Sequence, residues 1–224
     1  MPARAVIAII SASRQAGAGL GGYLERRGHD VRLATELWAA SQVIAGADVV
    51  VVDTAIPGGA GLDLLREHGG DGAPAFVVVL DQPALVDRVL ALELGAADVM
   101  EQPLNLREAA SRIAGILARR GMPAPELMTF ERSTVDLRAA LVMHHSGEEE
   151  QLSAGQVAML RLFAAQPKRV ISRDDIIAAA PAESYDAFDR SIDSRIVRLR
   201  RKLDTEAIVT VRGAGYRFDP PVGG

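Results

Sequence analysis

The sequence predicts two domains in tandem: a doubly wound α/β domain over residues 1–120, then a smaller α+β domain over residues 126–220. Three observations carry that prediction. In the first half, short apolar runs alternate with amphipathic stretches, the pattern of parallel strands buried on both faces and separated by helices. Between the halves, Arg119-Arg-Gly-Met-Pro-Ala-Pro125 places one glycine and two prolines together, which ends a helix and leaves a short, stiff linker at residues 121–125. In the second half, three helical segments give way to strand, glycine-rich turn and strand. A chain of 224 residues has room for two such cores of about 100 residues each.

The first domain reads in order. Ala5–Ile10, Asp48–Val52 and Ala75–Leu80 are apolar runs of strand length, with Val31–Ala34 and Val99–Met100 as two shorter strands. Leu20–Arg27, a segment near Trp38–Ile44, Gly61–Glu67, Leu85–Leu94 and Leu106–Leu117 supply the helices between and after them. The result is a five-stranded parallel sheet of flavodoxin-like order, whose site lies at the C-terminal strand ends. Gly17-Ala-Gly-Leu-Gly-Gly22 formally fits a dinucleotide fingerprint, which would imply an NAD-binding enzyme. However, Ser11–Ala16 separate it from the first strand, and a pyrophosphate turn must begin at the strand end.

The second domain opens its first helix at Ser153, with Gln156 three residues on as a capping box, and Val157, Leu160, Leu162 and Phe163 follow. Ser172-Arg-Asp-Asp175 opens a short second helix whose early carboxylates suit the positive end of the helix dipole. The third helix is the most distinctive. Ile192, Ile196, Leu199 and Leu203 recur at spacings of four, three and four and line one side, while Arg190, Ser194, Arg198 and Arg201 fall near the opposite side, flanked by Arg195 and Lys202. From Arg190 to Lys202 there are six basic residues and one acidic residue, in a chain of net charge -4. Such local concentration points to a polyanion, with double-stranded DNA the natural partner. Ala207–Phe218 then forms a hairpin. Three helices and a hairpin are the order of a winged helix-turn-helix, with the third helix in the major groove and the hairpin at the adjacent minor groove.

Residues 126–219 resemble the effector domain of OmpR/PhoB-type response regulators. The likeness rests on Arg169-Val-Ile-Ser-Arg173, Arg190-Ser-Ile-Asp193, Arg198-Leu-Arg-Arg-Lys-Leu203 and Val211-Arg-Gly-Ala-Gly-Tyr-Arg-Phe218. The resemblance implies a four-stranded antiparallel sheet ahead of the first helix, drawn from Met128–Glu131, Val135–Leu137 and Leu141–His144. It implies that Ser194, Arg195 and Arg198 face bases or phosphates, that Arg212 at the wing tip enters the minor groove, and that Arg190, Ser191 and Arg201 hold the DNA backbone. The loop from Ala180 to Asp186 resembles the family's RNA polymerase contact loop, and a plain connector fits it equally.

The first domain resembles the family's receiver domain through three segments: the strand and loop at residues 47–61, Asp87-Arg-Val-Leu-Ala-Leu-Glu-Leu-Gly-Ala-Ala-Asp98, and Tyr23-Leu-Glu-Arg-Arg-Gly28. Asp53 stands at the phosphoacceptor position. Yet the acidic pair that receivers place after the first strand falls on Ser11 and Ala12. The hydroxyl at the end of strand four falls on Leu80 or Asp81, the lysine before proline on Gln102, and the switch aromatic on Val99. Phosphoryl transfer needs charge neutralised by Mg²⁺, which wants hard oxygen ligands. The expectation is therefore a transcriptional regulator independent of Mg²⁺-dependent phosphorylation, with a cognate histidine kinase disfavoured. The alternative is a conventional phospho-switch using Asp53. Family receivers of this kind pair through helix four, strand five and helix five, so a homodimer is expected, with Arg88, Glu93, Asp98, Glu108 and Arg112 as its charged interface.

Composition narrows the rest. Cysteine is absent, which excludes disulfides and thiolate metal sites. No metal or cofactor site is expected, and no catalytic one. There is no apolar run of membrane-spanning length, and Met1-Pro-Ala-Arg-Ala-Val-Ile reads as a strand leading into the fold rather than a signal peptide, so the expected location is cytoplasmic. His144 and His145 read as a hairpin surface pair, Glu148–Glu150 as a solvated acidic loop, and Trp38 as helix packing.

Overall fold

The computed structural model describes residues 4–56, 60–70, 72–124, 126–180 and 191–221. It divides into two compact units, Met1–Ala124 and Pro125–Gly224.

The first unit is a parallel sheet of order β2-β1-β3-β4-β5, formed by β1 (Val6–Ile10), β2 (Asp30–Ala34), β3 (Val49–Asp53), β4 (Ala75–Leu80) and β5 (Asp98–Glu101). Side chains alternate across each strand, so two cores form. Ile7, Ile9, Val49, Val51, Val77 and Val79 pack against Leu20, Tyr23 and Leu24 of α1 (Arg14–Glu25) and Ile113, Ile116 and Leu117 of α5 (Leu106–Arg119). Ala8, Ile10, Val50, Val52, Phe76 and Val78 face the other way. They meet Ala40 and Ile44 of α2 (Leu37–Ile44), Leu64 and Leu65 of α3 (Gly61–His68) and Ala91 of α4 (Leu85–Glu93). The strand order reverses between β1 and β3, which puts a crevice at their C-terminal ends, where Ser11 and Asp53 lie.

Helix α1 begins six residues earlier than the periodicity predicts, at Arg14, with the Ser13 hydroxyl accepting from the Ala16 amide at 3.2 Å. The glycines of the dinucleotide-like stretch therefore lie inside a helix, not in a turn at a strand end. Gly17 is a packing glycine: a Cβ there would stand 2.6 Å from Leu33 Cδ1. Trp38 is a correction. It is 77% exposed at the start of α2, because the face of that helix turned to the sheet is filled by Ala40 and Ile44.

The second unit opens with a four-stranded antiparallel sheet of order β6-β7-β8-β9: β6 (Leu127–Thr129), β7 (Ser133–Asp136), β8 (Leu141–His144) and β9 (Glu149–Gln151). The acidic segment expected as a loop is thus its fourth strand, paired Leu141 to Gln151 and Met143 to Glu149. Then come α6 (Ala154–Ala165), β10 (Val170–Ile171), α7 (Arg173–Ala179), α8 (Ile192–Leu203), β11 (Ile208–Val211) and β12 (Gly215–Phe218), with β12 pairing to both β10 and β11 in a sheet of order β10-β12-β11. Both helix-start signals are formed. Ser153 and Gln156 bond reciprocally at 3.3 and 3.0 Å, and Ser172 and Asp175 at 3.1 and 3.3 Å. One core joins the sheet to the helices. Phe163, Leu160, Ile176, Ile196, Leu199 and Leu203 meet Phe130 and Phe218, whose ring centroids are 5.8 Å apart.

Candidate nucleic-acid interface

The first turn of helix α8 is held in place by one carboxylate. Asp193, in its first turn, accepts from Arg173 Nε at 2.8 Å and from the Tyr216 hydroxyl at 2.6 Å. It therefore ties the start of α7 and wing strand β12 to the start of α8. Arg173 and Tyr216 hold Asp193 below the usual carboxylate range, while burial pushes the Tyr216 phenol up. Arg200 closes the other end. Its Nε donates to the Ile208 carbonyl at 2.6 Å and an Nη to Thr210 Oγ1 at 2.9 Å, with the guanidinium 5.6 Å from the Tyr216 ring centroid. The Ser133 hydroxyl donates to the Leu203 carbonyl at 2.6 Å, anchoring the C-terminal end on β7. Nothing in the helix periodicity reveals Asp193 as this hub, since its partners stand 20 and 23 residues away.

With its ends fixed, α8 buries Ile192, Arg195, Ile196, Leu199 and Leu203. Arg195 is a correction: at 8% exposed it belongs to the packed arc, one helical turn from Ile192 and from Leu199, and does not join the outward cationic face. That face carries Arg198 and Arg201, both exposed, with Ser194 half-buried and Ser191 exposed at the N-cap. Arg198, Arg201 and Lys202 line a cleft of about 270 Å³ with Gln156 and Glu150, whose carboxylate stands 3.8 Å from Lys202 Nζ. Three cations against one carboxylate favour an anion, and a backbone phosphate fits that chemistry. Arg212 is exposed in the turn between β11 and β12. Arg190 and most of the loop matched to polymerase contact, residues 181–190, lie outside the described residues.

The wing needs its glycines. Gly213 has φ +74° in the turn, and Gly215 has φ +143°, with a Cβ there only 2.1 Å from the Ile171 carbonyl oxygen. Only glycine allows β12 to lie against β10 so closely.

At the other site, Asp53 is 6% exposed at the end of β3. Its carboxylate accepts from Ser11 Oγ at 3.3 Å and from the Ala55 amide at 2.9 Å. The adjoining cavity, lined by Ile9, Ser11, Gly17, Leu20, Val79 and Gln102 among others, measures about 20 Å³, room for about one water. Gln102 takes the Leu104 amide at 3.2 Å, and Glu101 is paired with Arg88 at 2.7 Å. Leu80 is buried. These residues do not fit Mg²⁺: Asp53 is the carboxylate among the pocket-lining residues, the neighbouring oxygen ligand is a hydroxyl already directed at it, and the wall is apolar. Among the described residues no group of three or more His, Asp or Glu is arranged to hold a metal, which includes His144 and His145.

Four of the five charged residues expected at a dimer face are engaged within the chain, while Glu93 is exposed on α4. Arg112 pairs with Asp98 at 3.1 Å and Glu108 at 2.8 Å, which raises its pKa, and Arg88 pairs with Glu101. Helix α4 beside them also exposes a set of apolar side chains, Leu85, Val86, Val89, Leu90 and Leu92, among the charged Asp87, Arg88 and Glu93. No helix among the described residues is long and apolar enough to cross a membrane.

Comparison with known proteins agrees with this architecture. Residues 147–218 match the family described as transcriptional regulatory protein, C terminal. The regulatory protein VirG of Agrobacterium tumefaciens (strain 15955) is 36% identical over 190 residues, 80% of this chain and 70% of that protein. VirG of Agrobacterium fabrum is 35% identical over 185 residues, 78% of this chain and 73% of that protein. A solved signal receiver domain from Vibrio parahaemolyticus superimposes with a TM-score of 0.50 at 18% identity, covering 53% of this chain and 94% of that one, a likeness of fold alone.

Proposed function

This chain belongs to the OmpR/PhoB family of DNA-binding response regulators, and from that premise we propose that it controls transcription as a dimer on paired operator half-sites, without Mg²⁺-dependent phosphorylation of Asp53. The observation that carries the reading is the contrast between its two sites. The α8 surface is basic, exposed and braced at both ends, whereas the carboxylate at the phosphoacceptor position is covered.

Helix α8 would present Ser194, Arg198 and Arg201 to the major groove, with Ser191 at the backbone and Arg212 reaching the minor groove from the wing. Positioning by phosphates and discrimination by base edges then come from one helix. At Asp53, a phosphoryl group would need a counter-charge that Ser11, Ala12 and Gln102 do not supply. Control would lie in dimer formation through the α4 side of the receiver, in abundance, or in a partner protein. Contact with RNA polymerase through the segment at residues 180–186 remains part of this reading.

The test is operator binding followed by fluorescence anisotropy, on a site selected from genomic fragments. Wild type and Asp53→Asn are compared with and without Mg²⁺ and a small acyl phosphate. Equal affinity in all four conditions is the expected result. Tightening confined to phosphodonor-treated wild type would establish a conventional phospho-switch instead.

A further inference from the structure

The outward face of α8 carries one side chain that electrostatics does not explain. Val197 is 61% exposed, and it is the exposed large apolar side chain of this helix. Its neighbours on that face are Ser194, Arg198 and Arg201. At about 100° per residue, Val197 stands roughly 40° around the axis from Arg201 and roughly 60° from Ser194, within the arc opposite the buried residues. It is not a core residue displaced outward, because Ile192, Ile196, Leu199 and Leu203 complete the packed side. Nor does helix propensity favour it, since a β-branched residue on a solvated helix face is slightly worse than a straight-chain one.

We propose that Val197 reads a thymine, by packing its two methyl groups on the C5-methyl of that base in the major groove. Major-groove base edges offer hydrogen-bond donors, acceptors and a single apolar group, the thymine methyl. Arg198 and Arg201 serve the acceptors and phosphates, and a valine among them can gain only from the methyl. Val197 lies one residue before Arg198 in the same turn, so the thymine it reads neighbours the base pair that Arg198 contacts. This inference rests on the reading of α8 as the recognition helix and adds a specificity element to it.

The experiment replaces each thymine of the selected operator, one at a time, with deoxyuridine, which removes the methyl and leaves every hydrogen-bonding group. Binding is measured for wild type, Val197→Ala and Val197→Thr. One thymine per half-site should matter to wild type, with affinity falling about 4-fold on loss of its methyl. Val197→Ala should bind the thymine and deoxyuridine sites equally, and Val197→Thr, which keeps one methyl group, should recover part of the difference. A wild type indifferent to every substitution, or a penalty unchanged in Val197→Ala, would overturn the proposal while leaving α8 as the recognition helix. If no sequence-selected operator emerges at all, the reading of α8 itself fails and this assignment falls with it.

Discussion

At the scale of single residues, Asp193 shows how one carboxylate in a basic helix serves position rather than contact. Six cations stand within thirteen residues, and its own partners, Arg173 and Tyr216, come from other elements. Because the folded state holds its pKa below the unfolded value, the stabilisation it gives is complete above about pH 3.9 and is lost as pH falls through the lower folded value. Asp219, held down by Arg217 at 2.7 Å, adds to the same acid limb. Replacing Asp193 with alanine should therefore lower the thermal midpoint at neutral pH and shrink the acid limb without abolishing it. Calorimetry between pH 7 and pH 2 checks this: the gap between wild type and variant should close as the pH drops. A gap that persisted unchanged to pH 2 would mean that the loss comes from packing and not from the ionised pair.

At the scale of elements, the wing depends on a backbone that a side chain would obstruct. Gly215→Ala places a methyl on the Ile171 carbonyl and forces a residue with φ +143° to take a conformation that alanine avoids. The expected cost is about 2 kcal/mol, seen as roughly 30-fold faster amide exchange at β10 and β12 with little change in the first domain. The glycine pattern that signals this turn is plain in the sequence, as are β1, β3 and β4, whose uniform apolar runs admit few other readings. Other elements escape for physical reasons. Strand β9, Glu149–Gln151, has no apolar residue, so its pairing with β8 leaves no hydrophobic alternation to read in the sequence. Strand β10 has two residues, too few for any period. The first turns of α1 are rich in glycine, so propensity argues against a helix that close packing against Leu33 permits. At the site, the cationic face of α8 is legible from spacing, but the arc boundary is not: Arg195 falls inside it and Val197 outside, and only the packed neighbours decide.

At the scale of the whole molecule, the question is what would draw two copies together. Each exposed ion pair contributes at most about 1 kcal/mol, and Arg112, Asp98, Glu108 and Arg88 already have partners in their own chain. Exchanging an internal pair for an intermolecular one gains little, so charge would set register rather than supply the affinity. Helix α4 offers the larger gain. Leu85, Val89 and Leu92 follow one another at helical spacing, with Leu85 76% exposed, and burial of such a stripe against its symmetry mate removes apolar surface from water on both sides. Wild type should sediment as a dimer at micromolar concentration and the double variant Leu85→Glu and Val89→Glu as a monomer, whereas Arg112→Ala should remain largely dimeric. On DNA, the monomeric variant should bind a single half-site as wild type does but lose the advantage of two half-sites spaced by about 34 Å, one helical turn. Dissociation by Arg112→Ala with no effect of the α4 variant would place the affinity in the charged network instead, and require those internal pairs to open when the dimer forms.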